Sequence, residues 1–98
     1  MDDDFVIFLR MLSKKGFYDV LKFIKKQKSV YYNDVVNFAT QEKIVSSQAS
    51  VTIILNGLTN LELVKREVTD ERPVRTLYSL TKNGEKILIK LLELQKFF

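Results

Sequence analysis

The stretch from Ser47 to Leu58, with the sequence SQASVTIILNGL, decides the fold. Its apolar residues recur at spacings of three and four, which predicts one buried face of a helix over residues 47–60. Ser47 stands just before this run and is a typical N-cap, because its hydroxyl can accept a hydrogen bond from a free N–H of the first turn. The buried stripe consists of Val51, Ile54, Leu55 and Leu58, and the opposite face carries Gln48, Ala49, Thr52, Ile53 and Asn56.

Shorter elements are predicted upstream of this helix. Residues 33–40 form a helix with Asn33 as its N-cap, and residues 41–46 form the turn between the two helices. Two amphipathic helices come earlier, over residues 1–12 and from Phe17 to about Lys28. A brief edge strand, Ser29 to Tyr32, follows them.

Downstream, the hydrophobic period changes from helical to alternating. Leu63–Thr69 and Val74–Leu80 are therefore predicted to pair as a hairpin with residues 70–73 at its tip. Thr81 is the predicted N-cap of a last helix over residues 82–98. The apolar stripe of this helix is too wide for one partner, so we expect it to face both its own domain and a second chain.

This order of elements predicts a mainly α protein with a small β-hairpin wing (α+β). We interpret residues 1–98 as one winged helix-turn-helix domain, with residues 33–60 as the helix-turn-helix and 63–81 as the wing. The terminal helices, 1–12 and 82–98, would be extra elements for dimerisation. In such a fold the second helix of the pair enters the DNA major groove, and the hairpin reaches phosphates or the minor groove.

Composition favours a DNA partner and argues against an enzyme. The 98 residues include no Cys and no His, which removes thiol nucleophiles, imidazole bases and the usual zinc ligands. Sixteen basic against twelve acidic residues give a net charge of +4, which attracts polyanions. No apolar run is long enough to span a bilayer, so we expect a cytoplasmic protein without membrane, metal or cofactor. The Lys-, Ile- and Asn-rich composition would suit an archaeon or an archaeal virus.

Several short motifs resemble the winged-helix transcription regulators of the HxlR and MarR groups. Beside the stretch quoted above, they are Leu63-Val-Lys-Arg66, Pro73-Val-Arg75 and Tyr78-Ser-Leu-Thr-Lys-Asn-Gly84. The resemblance covers roughly residues 17–94 and implies dimeric regulators whose terminal helices form the interface. Glu62 stands where those families usually have Gly, so the recognition helix need not end as it does in them. Ile53 replaces Arg or another polar donor, so a base contact there would be apolar, such as with a thymine methyl.

Twelve residues are candidates for DNA contact, because they lie on the exposed helix face, in the preceding turn or in the wing. They are Lys43, Ser47, Gln48, Ala49, Ser50, Thr52, Ile53, Asn56, Lys65, Arg66, Arg72 and Arg75. Two alternatives stay open: the helix face is merely solvated, or the wing arginines pair with Glu67, Asp70 or Glu71.

The predicted function is sequence-specific binding of double-stranded DNA by a homodimeric transcription regulator. Its dimer interface would consist of Phe5, Phe8, Leu9, Leu12, Leu88, Leu91, Leu92, Leu94 and Phe98. The alternative is a winged-helix protein–protein interaction module, which is favoured by the absence of Lys and Arg from residues 47–60. The operator sequence, the direction of regulation and any small-molecule effector stay open.

Overall fold

The computed structural model describes residues 2–98, so the first residue of the helix predicted over 1–12 lies outside the described residues. Within that range the elements are α1 Asp2–Leu12, α2 Phe17–Gln27, β1 Ser29–Tyr31, α3 Tyr32–Gln41, α4 Gln48–Asn60, β2 Val64–Val68, β3 Thr76–Leu80 and α5 Lys82–Gln95. The predicted α+β winged-helix fold is confirmed. None of these helices is long and apolar enough to cross a membrane.

The wing belongs to a three-stranded antiparallel sheet with the order β1-β3-β2. The hairpin pairs Val64 with Leu80 and Val68 with Thr76. β1 adds to the other side of β3, where buried Val30 lies opposite buried Tyr78. The short strand predicted before α3 therefore anchors the base of the wing to the helices.

The core lies between α2, α4 and the sheet. α2 contributes four fully buried side chains and α4 another four, which are Phe17, Val20, Leu21, Ile24, Val51, Ile54, Leu55 and Leu58. Each buried side chain of this size contributes about 1.5–3 kcal/mol relative to exposure. Burial of the predicted stripe fixes the rotation of α4 and turns its opposite face outward.

Two helix ends differ from the sequence prediction. α3 begins at Tyr32 and its N-cap is Tyr31, so Asn33 is inside the helix. The reason is that β1 runs directly into α3, and the Asp34 carboxylate accepts a hydrogen bond from the Tyr31 N–H at 3.0 Å. α5 ends at Gln95, so residues 96–98 lie beyond the helix that was predicted to include them.

The end of α4 and the start of α5 are closely joined, and we call this region the α4–α5 joint. Glu62 has a φ of 59°, and the Leu63 N–H donates to the Leu58 carbonyl at 3.0 Å. This is the left-handed ending that glycine usually provides, so Glu62 preserves the helix end instead of changing it. The Thr81 hydroxyl donates to the Glu62 carbonyl at 2.7 Å, and it accepts from the Gly84 N–H at 2.9 Å as the N-cap of α5.

Candidate nucleic-acid interface

The exposed face of α4, which we call the reading face, consists of Gln48, Ala49, Thr52, Ile53 and Asn56. All of them are exposed, and α4 contains no ionisable side chain. A partner would therefore meet two amides, a threonine and two apolar side chains.

The two serines at the start of α4 are engaged with each other. The Ser47 hydroxyl accepts from the Ser50 N–H at 3.2 Å, as an N-cap does, and the two hydroxyls lie 3.0 Å apart. Both were predicted DNA contacts. The Ser47 hydroxyl caps the helix, the Ser50 hydroxyl contacts it, and Ser50 is half-buried.

Tyr32 is a neighbour of the reading face that sequence reasoning missed. Its hydroxyl lies 2.7 Å from the Thr52 hydroxyl, which in turn donates to the Gln48 carbonyl at 3.2 Å. Because a hydroxyl has a single proton, Tyr32 is the donor to Thr52 in this arrangement. The single proton of the Thr52 hydroxyl is thus engaged within the protein, so toward a partner this hydroxyl can act only as an acceptor.

The cations of the wing are in three different settings. The Lys65 ammonium pairs with Glu67 at 3.0 Å, and both side chains are exposed. The Arg75 guanidinium lies 5.0 Å from the centre of the Tyr31 ring, and Arg75 directly precedes β3 at the tip end of the hairpin. Arg66 and Arg72 are exposed and have no ion pair within residues 2–98. Within residues 2–98 the wing arginines therefore do not pair with the neighbouring acids, which was the alternative given above.

A groove of about 640 Å³ lies at the N-terminal end of α4. Its walls include Lys43 of the α3–α4 turn and Lys14 and Lys15 of the α1–α2 turn, and it extends to Ser50 and Ile53. We call it the lysine groove. Lys14 and Lys15 are not among the predicted contacts, because they lie outside the helix face, the turn before it and the wing. No sequence spacing brings the two turns together.

The helices α1 and α5 form a second surface, which is apolar. Its exposed members are Phe5, Leu9, Leu92, Leu94 and Phe98, and we call them the apolar α1/α5 surface. Phe8, Leu12 and Leu91 are half-buried against the core. The prediction that Leu88 belongs to the dimer interface is wrong. Leu88 is 1% exposed and packs in the core of its own chain, so it is not available to a second chain.

A helix pair with an exposed second helix, followed by a hairpin that carries cations, defines a winged helix-turn-helix DNA-binding protein. Residues 38–98, more than half of the chain, match the model of a family described as HxlR-like helix-turn-helix. The chain belongs to this family. It is a DNA-binding transcription regulator and not an enzyme.

Solved structures share the fold. The reduced form of the transcriptional regulator YodB from B. subtilis is 22% identical, with a TM-score of 0.73 over 91% of this chain and 82% of that one. A MarR-family regulator from Enterococcus faecalis V583 is 21% identical, with a TM-score of 0.75 over 91% and 76%. A transcriptional regulator homologue from Pyrococcus horikoshii OT3 is 15% identical, with a TM-score of 0.74 over 98% and 92%. No curated protein matches.

At these low identities the solved structures show the fold alone. They do not support the predicted archaeal or viral source.

Proposed function

We propose that the chain binds double-stranded DNA sequence-specifically as a homodimer in the cytoplasm. The recognition helix, residues 47–60, would lie in the major groove, and the wing, residues 67–76, on phosphates or in the minor groove. The observation that carries this proposal is the reading face: uncharged hydrogen-bonding and apolar side chains, exposed together, with cations beside them on neighbouring elements.

The reading face is suited to base pairs rich in A and T. Gln48 and Asn56 each present an amide donor and acceptor, the pair that binds adenine bidentately in the major groove. They are about 12 Å apart along the axis of α4. Ala49 and Ile53, which lie between them in the sequence, offer methyl groups that match the thymine methyl. Each good bidentate pair contributes about 1–3 kcal/mol of discrimination against a wrong base.

Affinity would come from the flanks, because α4 itself carries no charge. Arg66 and Arg72 are exposed and free of ion pairs in the described part of the chain, so they can reach phosphates at no cost in internal contacts. The exposed pair of Lys65 with Glu67 is worth at most about 1 kcal/mol and can be exchanged for a phosphate.

The partner proposed for the apolar α1/α5 surface is a second copy of the chain. A groove of about 500 Å³ lies between α1 and α5, and both helices line it with apolar side chains together with the charged Asp4, Lys86 and Lys90. Phe5 lines this groove and is itself exposed, so a two-fold axis could place it in the groove of the partner. Such a dimer would present its two recognition helices to successive major grooves, about 34 Å apart.

The test is selection of binding sites from a pool of random duplexes, followed by affinity measurements at several salt concentrations. We expect the wild-type protein to enrich an inverted repeat with half-sites about one helical turn apart. Gln48→Ala/Asn56→Ala should reduce the preference for the selected site by tenfold or more and leave the salt dependence unchanged. Arg66→Ala/Arg72→Ala should weaken binding to all sequences and lower the salt slope by about one per lost contact.

Lys25→Ala/Lys26→Ala is the charge-matched control, because these exposed lysines lie near the C-terminal end of α2, outside the helix-turn-helix, the wing and the groove between α1 and α5. If the double arginine variant and the double lysine control weaken binding alike and no sequence is enriched, the protein attracts DNA only through its diffuse positive charge. The protein–protein interaction module is then the better interpretation.

A further inference from the structure

We propose that the α1–α2 turn, residues 13–16, is a third DNA-contact element beside α4 and the wing. In it Lys14 and Lys15 would bind the phosphate backbone at the N-terminal end of α4. This inference rests on the proposed function, since it assigns phosphates that flank the major groove in which α4 lies.

The first argument is the continuity of the lysine groove with the reading face. Lys14, Lys15 and Lys43 border the same groove as Ile53, which belongs to the reading face. A DNA strand that passes α4 in the orientation required for reading would therefore pass these ammonium groups as well. Lysine is a frequent phosphate ligand, and the positive end of the helix dipole at the start of α4 adds to the attraction.

The second argument is that the turn is held in place against the helix-turn-helix. Gly16 has a φ of +94°, and a Cβ at this position would lie 2.8 Å from Cγ2 of Ile44 in the α3–α4 turn and 3.1 Å from Cδ1 of Ile54 in α4. Glycine therefore allows the two turns to pack closely. The Lys14 N–H donates to the Met11 carbonyl at 3.0 Å, which closes the end of α1. Lys14 and Lys15 thus project from a backbone of fixed position relative to α4.

The third argument is electrostatic. α4 has no charged side chain, so a cationic partner for a phosphate at its N-terminal end must come from neighbouring elements. On the wing, Lys65 is paired with Glu67, whereas neither Lys14 nor Lys15 takes part in an ion pair in the described residues 2–98. Both are exposed. Their charge is available to a polyanion without the loss of an internal partner.

The experiment compares two Lys-Lys pairs of equal charge in the full chain, Lys14→Gln/Lys15→Gln and Lys25→Gln/Lys26→Gln. The control pair is exposed near the C-terminal end of α2, away from the lysine groove, and loses only the surface ion pair of Lys25 with Glu85. Binding to the selected duplex is measured between 50 and 200 mM salt, with circular dichroism to verify folding. We expect the first variant to lower the salt slope by about two and the affinity at 0.1 M salt by about tenfold per lost contact.

Ethylation interference locates the contact. Phosphates whose ethylation weakens wild-type binding but no longer affects the Lys14→Gln/Lys15→Gln variant should lie at one edge of the groove occupied by α4. If this variant binds with the wild-type slope and interference pattern, the inference is wrong, although the proposed function stands. Equal losses in the two variants also overturn it. If the wild-type protein selects no sequence, the proposed function fails first, and the inference fails with it.

Discussion

The reading face and the apolar α1/α5 surface expose matched side chains in opposite surroundings. Ile53 is 55% exposed and Leu94 is 56% exposed. Ile53 is surrounded by amides, hydroxyls and the lysines of a groove, whereas Leu94 shares a shallow apolar cavity with Leu12, Leu91 and Phe98. A single exposed aliphatic residue is normal on a monomer, but a contiguous apolar patch marks an interaction site. Two equally exposed aliphatic side chains are therefore assigned different partners in the proposed function, DNA for Ile53 and a second chain for Leu94.

The largest expected effect comes from placing a charge on the apolar α1/α5 surface. Leu94→Asp would bury an unpaired carboxylate in the proposed dimer, at a cost of about 4 kcal/mol, which corresponds to about a thousandfold weaker dimer. We expect sedimentation to show a dimer for the wild type at micromolar concentration and a monomer for this variant. Leu94 is preferable to the half-buried Leu91, whose substitution would also disturb the core.

Ile53→Asp is the matched control for this comparison. It should leave the dimer intact and abolish specific DNA binding, because a carboxylate would enter the negatively charged major groove in place of an apolar base contact. If both substitutions leave the protein dimeric, the interface is elsewhere; if Ile53→Asp also dissociates the dimer, the distinction between the two surfaces is wrong.

The helices that carry the two surfaces are connected through the α4–α5 joint, where the next effect is expected. In Gly84→Ala the new Cβ would overlap with the Leu63 carbonyl oxygen, so the backbone must move. We expect a loss of about 3 kcal/mol in the free energy of unfolding, measured by urea denaturation. Gly57→Ala is the comparison within α4, because its Cβ would meet only the flexible end of Met11. A Gly84→Ala variant as stable as the wild type would show that the joint is loosely packed.

The smallest effect concerns the left-handed residue of the same joint. Glu62→Gly should stabilise the protein by about 1 kcal/mol, because glycine adopts a φ of 59° without the steric cost of a side chain. Thermal unfolding would register this as an increase of several degrees. Glu62→Gln keeps the Cβ and removes the charge, so it should leave stability unchanged. If the glutamine variant gains as much as the glycine variant, repulsion and not backbone conformation is the cause.

Hydrophobic period and capping residues predicted most of the fold. The stripe of α4 and the caps Ser47 and Thr81 follow from contacts within one or two turns, which a sequence displays directly. Long-range pairings cannot be predicted in this way. The pairing of β1 with β3 and the contact of Tyr32 with Thr52 depend on where the core places whole elements.

The candidate surfaces likewise depend on long-range packing that the sequence does not display. Spacing assigned Leu88 and Leu94 to one apolar stripe, but packing buries the first and exposes the second. The lysine groove likewise arises from two turns that are distant in sequence.

The α4–α5 joint has a consequence for the geometry of an operator. Hydrogen bonds from Thr81 to Glu62 and from Thr81 to Leu63, with Gly84 packed against the same backbone, hold α5 at a set angle to α4. In the proposed dimer α5 carries part of the interface, so the two reading faces would be rigidly spaced. One extra base pair between half-sites rotates them by about 34° around the DNA axis. Such a dimer would discriminate the helical phase of its two half-sites as well as their sequence.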